Sequence, residues 1–107
     1  MQNLINNINP LVDKELKEAN VQFPMFNSAH EGYAIIKEEV EEAEVELERV
    51  NDELNYAWLF VKSNDNESVL MNIKDLKEKA ILLAAESIQV AAMAQKFIDS
   101  SEKWGVK

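Results

Sequence analysis

The chain has 107 residues, enough for one domain, and 20 acidic against 11 basic residues give it a formal charge of −9 at pH 7. That charge argues against binding to nucleic-acid polymers or anionic membranes, since both require clustered cations. The absence of cysteine excludes disulfides, thiol nucleophiles and iron–sulfur sites. The longest uninterrupted apolar runs have six residues and no secretory leader is visible, so we expect a cytoplasmic protein with no membrane partner.

Turn-forming residues are too rare for a β-rich fold, because the chain has only two glycines and two prolines and no apolar alternation of period two. An all-α fold is therefore predicted. Its first element is a short helix over residues about 9–20, with Asn9-Pro10 as the start and Pro10 in the first helical position. An apolar stripe supports this helix, formed by Leu11, Val12, Leu16 and Ala19.

Two long helices follow. Ser28 and Glu31 form a capping box that predicts a helix over about 29–62. After a turn at residues 63–66, the second long helix is predicted over about 67–101. In both helices apolar residues recur with alternating spacings of four and three. The series in the first long helix is Ile36, Val40, Ala43, Leu47, Val50, Leu54, Ala57 and Val61.

The predicted architecture is therefore a long antiparallel helical hairpin plus the short N-terminal helix. Each long helix would be about 50 Å long, and the second has apolar residues on more than one of its faces. A single hairpin cannot bury that surface. We expect self-association to a dimer or tetramer, with at least four long helices in an oligomeric bundle.

A run of glutamates stands in the first long helix. Between residues 38 and 48 there are seven glutamates and no lysine. A solvated helix face is the ordinary interpretation, but like charges three and four residues apart repel unless cations neutralise them. Because the turn lies at residues 63–66, Glu39 and Glu42 are expected at the same level along the hairpin axis as Glu86 and Gln89. These four side chains can therefore lie together in the space between the two helices.

Those side chains offer only oxygen donors, which suits Mg²⁺ or Mn²⁺. A di-iron bundle needs Glu-x-x-His on two helices, and zinc needs nitrogen or sulfur ligands, so both fit poorly. The alternative for Glu86, the one acidic residue within the apolar part of its helix, is an ion pair with a lysine across a subunit interface.

The same residues resemble a known family. Glu-Glu-Val-Glu-Glu at 38–42 is similar to the Glu-Glu-x-x-Glu motif of the MazG-like all-α nucleotide pyrophosphohydrolases. Glu-Ser-Ile-Gln at 86–89 stands where that family has Glu-x-x-Asp. The flanking segments 28–34 and 89–97 resemble a short subgroup common in phages and prophages. The resemblance covers residues about 23–99.

The resemblance implies Mg²⁺-dependent hydrolysis of a nucleoside triphosphate, NTP or dNTP, to the monophosphate and pyrophosphate by a dimer or tetramer. Glu39 and Glu42 match the family's metal-binding pair, and Glu86 matches the first residue of the second motif. Glu38 matches the leading glutamate, a further ligand or the group that orients the attacking water, so Glu38 and Glu39 are the expected catalytic residues. Gln89, a metal ligand on this comparison, departs from the family's aspartate and brings less charge.

Three further residues are candidates for substrate binding. Lys96 lies seven residues after Gln89 on the same helix face and could meet the phosphates, although a surface lysine is an equal alternative. His30 and Tyr33 precede the carboxylates and could stack on the base or hydrogen-bond to it, with helix-start packing against nearby phenylalanines as the alternative. For the whole chain, the alternatives to an enzyme are a non-catalytic helical interaction protein and an inactive nucleotide-binding sensor.

Overall fold

The computed structural model describes residues 1–106, in which there are helices and turns but no strand. The elements in chain order are α1 (Gln2–Ala19), α2 (Ala29–Lys62), α3 (Asn66–Ser101) and a short 3₁₀ helix (Glu102–Trp104). The all-α prediction is confirmed. The helices are divided between two compact units: the first unit comprises Met1–Val40 and the chain from Glu86 onwards, and the second unit comprises Glu41–Ala85.

Helix α1 is longer than the sequence predicts. It begins at Gln2, so the prediction that Asn9-Pro10 starts the helix is wrong, and Pro10 lies inside it. The first turn is stabilised locally, because the Gln2 side-chain amide donates a hydrogen bond of 3.0 Å to Oδ1 of Asn6. About two extra turns precede the proline, and the missing N–H of Pro10 interrupts only one bond of the helical ladder.

Helix α2 begins with the Ser28 half of the predicted capping box. The backbone N–H of Glu31 donates to Oγ of Ser28 over 3.2 Å, as expected for an N-cap serine. The Glu31 carboxylate accepts a hydrogen bond of 3.1 Å from the side-chain amide of Asn27. From this cap the helix continues without interruption to Lys62.

A three-residue connection joins α2 to α3. Asn64 adopts a left-handed backbone conformation with φ of 58°, which asparagine tolerates better than most residues. Asp65 then caps α3: its carboxylate accepts the backbone N–H of Ser68 over 3.2 Å and the Ser68 hydroxyl over 2.7 Å. These two hydrogen bonds hold the pKa of Asp65 below its ordinary value.

In the second unit, α2 and α3 contact each other along a narrow inner face. The side-chain amide of Asn72 on α3 donates a hydrogen bond of 2.7 Å to Oε2 of Glu53 on α2. On the same face Glu46 is buried and accepts a hydrogen bond of 2.7 Å from Arg49. The only buried apolar residue of this unit is Ala57, so its apolar core is very small.

The predicted apolar series of α2 divides into two sides in this unit. Its members on the inner side are buried or half-buried: Ala43, Val50 and Ala57. Its members on the other side are exposed: Leu47 at 48%, Leu54 at 54% and Val61 at 45%. The alternating spacing therefore predicts a helix correctly. The apolar residues of the series, however, lie on two neighbouring faces of this helix, and only one of these faces contacts α3.

The first unit has its core around Phe26, which is buried together with Ala92 and Ser100. Oγ of Ser100 accepts the backbone N–H of Phe26 over 2.9 Å and donates to the backbone carbonyl of Lys96 over 2.7 Å. This pair of hydrogen bonds ties the segment before α2 to the end of α3. Phe97, one turn before the end of α3, packs edge-on against Trp104 with ring centroids 5.1 Å apart.

Helix α3 is more apolar than its uninterrupted runs suggest. By length and composition alone, the helical stretch Asn66–Trp104 contains an 18-residue window, of mean hydropathy 1.3, that is apolar enough to cross a membrane. Core helices of soluble proteins pass it as well, but only 17% of this window is buried within the chain.

Candidate metal centre

Three of the predicted ligands lie together. One carboxylate oxygen from each of Glu39, Glu42 and Glu86 lies within 4.8 Å of the other two. Glu39 and Glu42 project from successive turns of α2, and Glu86 comes from α3, as the turn between the helices predicts. Three glutamates from two helices therefore converge on one point.

The environment of these carboxylates suits a hard divalent cation. Glu39 and Glu86 are half-buried, and Oε2 of each is shielded from solvent, whereas Glu42 is exposed. Oxygens around Mg²⁺ lie about 2.1 Å from the ion, so small rotations of these flexible side chains would bring the three oxygens into one coordination sphere. Without a cation, carboxylates at this separation repel one another.

Gln89 lies beside one of the three carboxylates, that of Glu39. Together with Glu39 it lines a cavity of about 220 Å³, whose other walls are Glu15, Ala19, Ala92 and Met93. Because its amide oxygen is neutral, Gln89 adds a potential oxygen ligand without adding negative charge.

Glu15 is a residue that the sequence analysis missed. It comes from α1 and lies in the same cavity as Glu39, next to Ala19 one turn further along α1. The sequence does contain a signal for Glu15, because it directly precedes Leu16 of the apolar stripe. Glu15 therefore lies at the edge of the α1 face that packs against the rest of the first unit. Its carboxylate adds further negative potential near Glu39.

Glu38 is exposed and is not part of the converging group. Successive residues of a helix are rotated by about 100°, so Glu38 projects from a neighbouring face of α2. This position leaves its carboxylate accessible to water next to Glu39. The structure thus brings Glu39, Glu42 and Glu86 together and leaves Glu38 on a neighbouring face of α2.

His30 and Tyr33 line a second cavity, of about 450 Å³, together with Ala29, Ile36 and Phe97. Both side chains are exposed, so they are accessible to a ligand. Of the two phenylalanines near the start of α2, Phe23 is exposed and Phe26 is buried. Tyr33 precedes Glu39 by six residues, which is about 9 Å along the helix axis.

Lys96 is not the surface lysine that was one alternative, since only 5% of it is exposed. Its Nζ lies 4.8 Å from the centroid of the Phe26 ring, a cation–π contact. The Ser100 hydroxyl that accepts the Phe26 N–H fixes the backbone carrying this ring. The ammonium group is therefore held by an aromatic face in the core of the first unit.

Comparison with protein-family models, with curated proteins and with solved structures finds no match for this chain. The similarity of residues 38–42 and 86–89 to the MazG-like motifs is thus a resemblance of short segments. A function for the chain depends on the geometry of the side chains described above.

Proposed function

We propose that the protein is a Mg²⁺-dependent nucleoside triphosphate pyrophosphohydrolase, converting an NTP or dNTP to the monophosphate and pyrophosphate. The observation that carries this proposal is the convergence of Glu39, Glu42 and Glu86 within 4.8 Å. Mn²⁺ can replace Mg²⁺ at such a site, because both prefer oxygen ligands in octahedral arrangements.

The chemistry fits this set of residues. Hydrolysis of a phosphoanhydride depends on neutralising charge and on placing a water in line, and needs no covalent protein group. A divalent ion held by the three glutamates would supply the positive charge that lets an acidic chain bind a polyanion. Glu38, accessible beside Glu39, is the candidate for orienting the attacking water and accepting its proton.

The cavity at His30 and Tyr33 supports the nucleotide part of the proposal. Its wall includes the Phe97 ring, and flat aromatic side chains are good partners for a base. The separation of about 9 Å between Tyr33 and Glu39 along α2 leaves room for a sugar between base and phosphates. Lys96 remains a candidate for contacting the phosphates, once its ammonium leaves the Phe26 ring.

The test is to incubate the protein with a panel of NTPs and dNTPs, with Mg²⁺ or Mn²⁺, and to measure released pyrophosphate. Glu42→Gln should abolish release while the helical content is retained, because it removes one charged ligand. Glu48→Gln is the matched control, since Glu48 is an exposed glutamate of the same run outside the converging group. Full turnover by Glu42→Gln would remove Glu42 from the site.

Two other outcomes would favour the alternatives. Nucleotide binding without pyrophosphate release would support an inactive nucleotide-binding sensor. If neither metal nor any nucleotide binds, a helical interaction protein is favoured. The exposed apolar side chains of the second unit are the observation that supports this alternative. For the enzyme we propose a cytoplasmic location, where nucleoside triphosphates and Mg²⁺ are abundant, and a homo-oligomeric state.

A further inference from the structure

The outward side of α2 in the second unit carries a line of acidic side chains. Glu44, Glu48 and Asp52 follow one another at intervals of four residues, so they share one face of the helix, and all three are exposed. The buried residues Glu46 and Ala57 lie on the opposite side of α2, so the acidic line faces away from α3. Like charges at this spacing repel one another, and the approach of cations relieves the repulsion.

An aromatic cavity continues this face towards the end of α2. Asn55 and Leu59 extend the acidic line with spacings of three and four residues. With Asp52 they line a cavity of about 420 Å³, whose other walls are Tyr56 and Trp58. These two aromatic side chains are 57% and 58% exposed. Tyrosine and tryptophan are enriched among the residues that carry most of the binding energy at protein interfaces. We call the acidic line and this cavity together the outer face.

A cation already lies over one of the aromatic rings. Nζ of Lys62 is 5.7 Å from the centroid of the Trp58 ring. The face of an indole ring attracts cations through its quadrupole. Lysine and arginine combine such a cation with an apolar stem. The outer face, with carboxylates next to aromatic rings, therefore suits positively charged side chains of this kind.

The outer face has the dimensions of a single helix. From Glu44 to Leu59 it extends about 22 Å along α2, which matches a partner helix of about 15 residues. An extended peptide would need a sheet edge for its backbone hydrogen bonds, and residues 1–106 contain no strand. The occupant is therefore expected to be helical, with an apolar side chain for the cavity and cations for the carboxylates.

We propose that the outer face is a docking site for a basic amphipathic helix of another protein. A second copy of this chain, with its charge of −9, fits the face poorly. Its carboxylates would lie either against these carboxylates or against the apolar cavity, and both arrangements are unfavourable. Anionic lipids and nucleic acids are disfavoured by the same charge. This inference does not depend on nucleotide hydrolysis, and self-association through other faces of the helices is compatible with it.

The experiment measures the binding of a designed peptide of about 15 residues, with leucine at every third or fourth position and lysine elsewhere. Calorimetric titration at low salt should show one peptide per chain, and the affinity should fall severalfold at physiological salt, because salt screens exposed charges. In the NMR spectrum the indole N–H signal of Trp58 should shift, and that of Trp104 should not. A peptide of the same composition in shuffled order, without the apolar stripe, is the control and should bind roughly tenfold more weakly.

Two variants test the two halves of the outer face. Glu48→Lys and Trp58→Ala should each raise the dissociation constant of the patterned peptide roughly tenfold or more, because one reverses a facing charge and the other removes the aromatic anchor. Glu78→Lys makes the same charge change at an exposed position of α3, and Phe23→Ala removes an exposed aromatic ring of the first unit. These two matched controls should leave the affinity nearly unchanged.

Three results would overturn the proposal: no binding of the patterned peptide at low salt, equal binding of the patterned and shuffled peptides, or equal losses with Glu48→Lys and Glu78→Lys. A lower mass of Trp58→Ala in sedimentation equilibrium, with unchanged peptide binding, would assign the face to a second copy instead. Glu48→Lys should retain pyrophosphate release, so failure of this proposal is distinguishable from failure of the enzyme hypothesis.

Discussion

The Phe97 ring occupies the space where a side chain at Gly32 would lie: a Cβ atom added at Gly32 would be 2.5 Å from Cδ2 of that ring. The same Cβ would lie 3.0 Å from the Phe26 ring, so two aromatic side chains converge on this glycine. Only a residue without a side chain allows the first turn of α2 to approach α3 so closely. Phe97 also lines the cavity with His30 and Tyr33, so this contact sets one wall of the proposed base site.

Gly32→Ala should therefore destabilise the protein. Alanine favours a helix by about 1 kcal/mol over glycine, but overpacking of an aromatic core costs about 1–3 kcal/mol, and we expect the second effect to prevail. Urea unfolding should show a lower free energy of unfolding. Adding Phe97→Leu should restore part of the loss, because the smaller side chain makes room for the methyl group. A more stable Gly32→Ala variant would contradict the close contact.

Asp65 should titrate below the ordinary range of an aspartate. Its pKa is lowered first by the Ser68 hydroxyl and then by the Ser68 backbone N–H, both of which favour the charged carboxylate. The cap therefore stabilises the fold above the ordinary pKa of 3.8, and this contribution is lost as the pH falls through the lowered pKa. Carbon-13 NMR titration should show the pKa of Asp65 rising in Ser68→Ala, and an unchanged value would show that the hydroxyl has no part in it.

Gln89→Asp should strengthen the response to Mg²⁺. A new carboxylate beside Glu39 adds repulsion without the ion and attraction with it, so Mg²⁺ should raise the melting temperature more than in the unmutated chain. The concentration of Mg²⁺ needed for half-maximal pyrophosphate release should fall. Asn7→Asp, which adds the same charge at an exposed position of α1, is the control. An equal response of both variants would remove residue 89 from the metal site.

Lys96→Met distinguishes a substrate contact from a purely structural lysine. Methionine keeps an apolar stem against Phe26 but removes the charge, so stability should change little. If the ammonium reaches the phosphates, KM for the triphosphate should rise severalfold. Lys103→Met removes an exposed lysine as the control. A lower melting temperature with unchanged KM would instead assign Lys96 to the packing of the first unit.

Local sequence signals predicted the long helices and the meeting of Glu39 and Glu42 with Glu86. Helical periodicity determines which glutamates share a face of α2, and the short turn determines which residues of α2 and α3 lie opposite each other. Both rules act along the chain, so they can be applied without knowing the packing. The Ser28 cap belongs to the same class of local signals.

The other features depend on tertiary contacts. The apolar series of α2 could not show which of its members would face α3, because Leu47 and Val50 are equally apolar. The burial of Lys96 beneath Phe26 depends on contacts between residues seventy positions apart in the chain. Helix α1 starts before Pro10 although Asn9-Pro10 has the pattern of a helix start, so that local signal does not mark the boundary.

The connection at Ser63–Asp65 has one further consequence. Ser63 donates its hydroxyl to the Phe60 carbonyl, Asn64 is left-handed and Asp65 caps α3, so each of the three connecting residues has a structural role. Three residues reach at most about 10 Å, close to the 8–10 Å between packed helix axes. The connection therefore has close to the minimum length that can join the two helices. Deleting one residue would require the end of a helix to unfold, whereas an inserted peptide tag would extend into solvent and leave both helices in place.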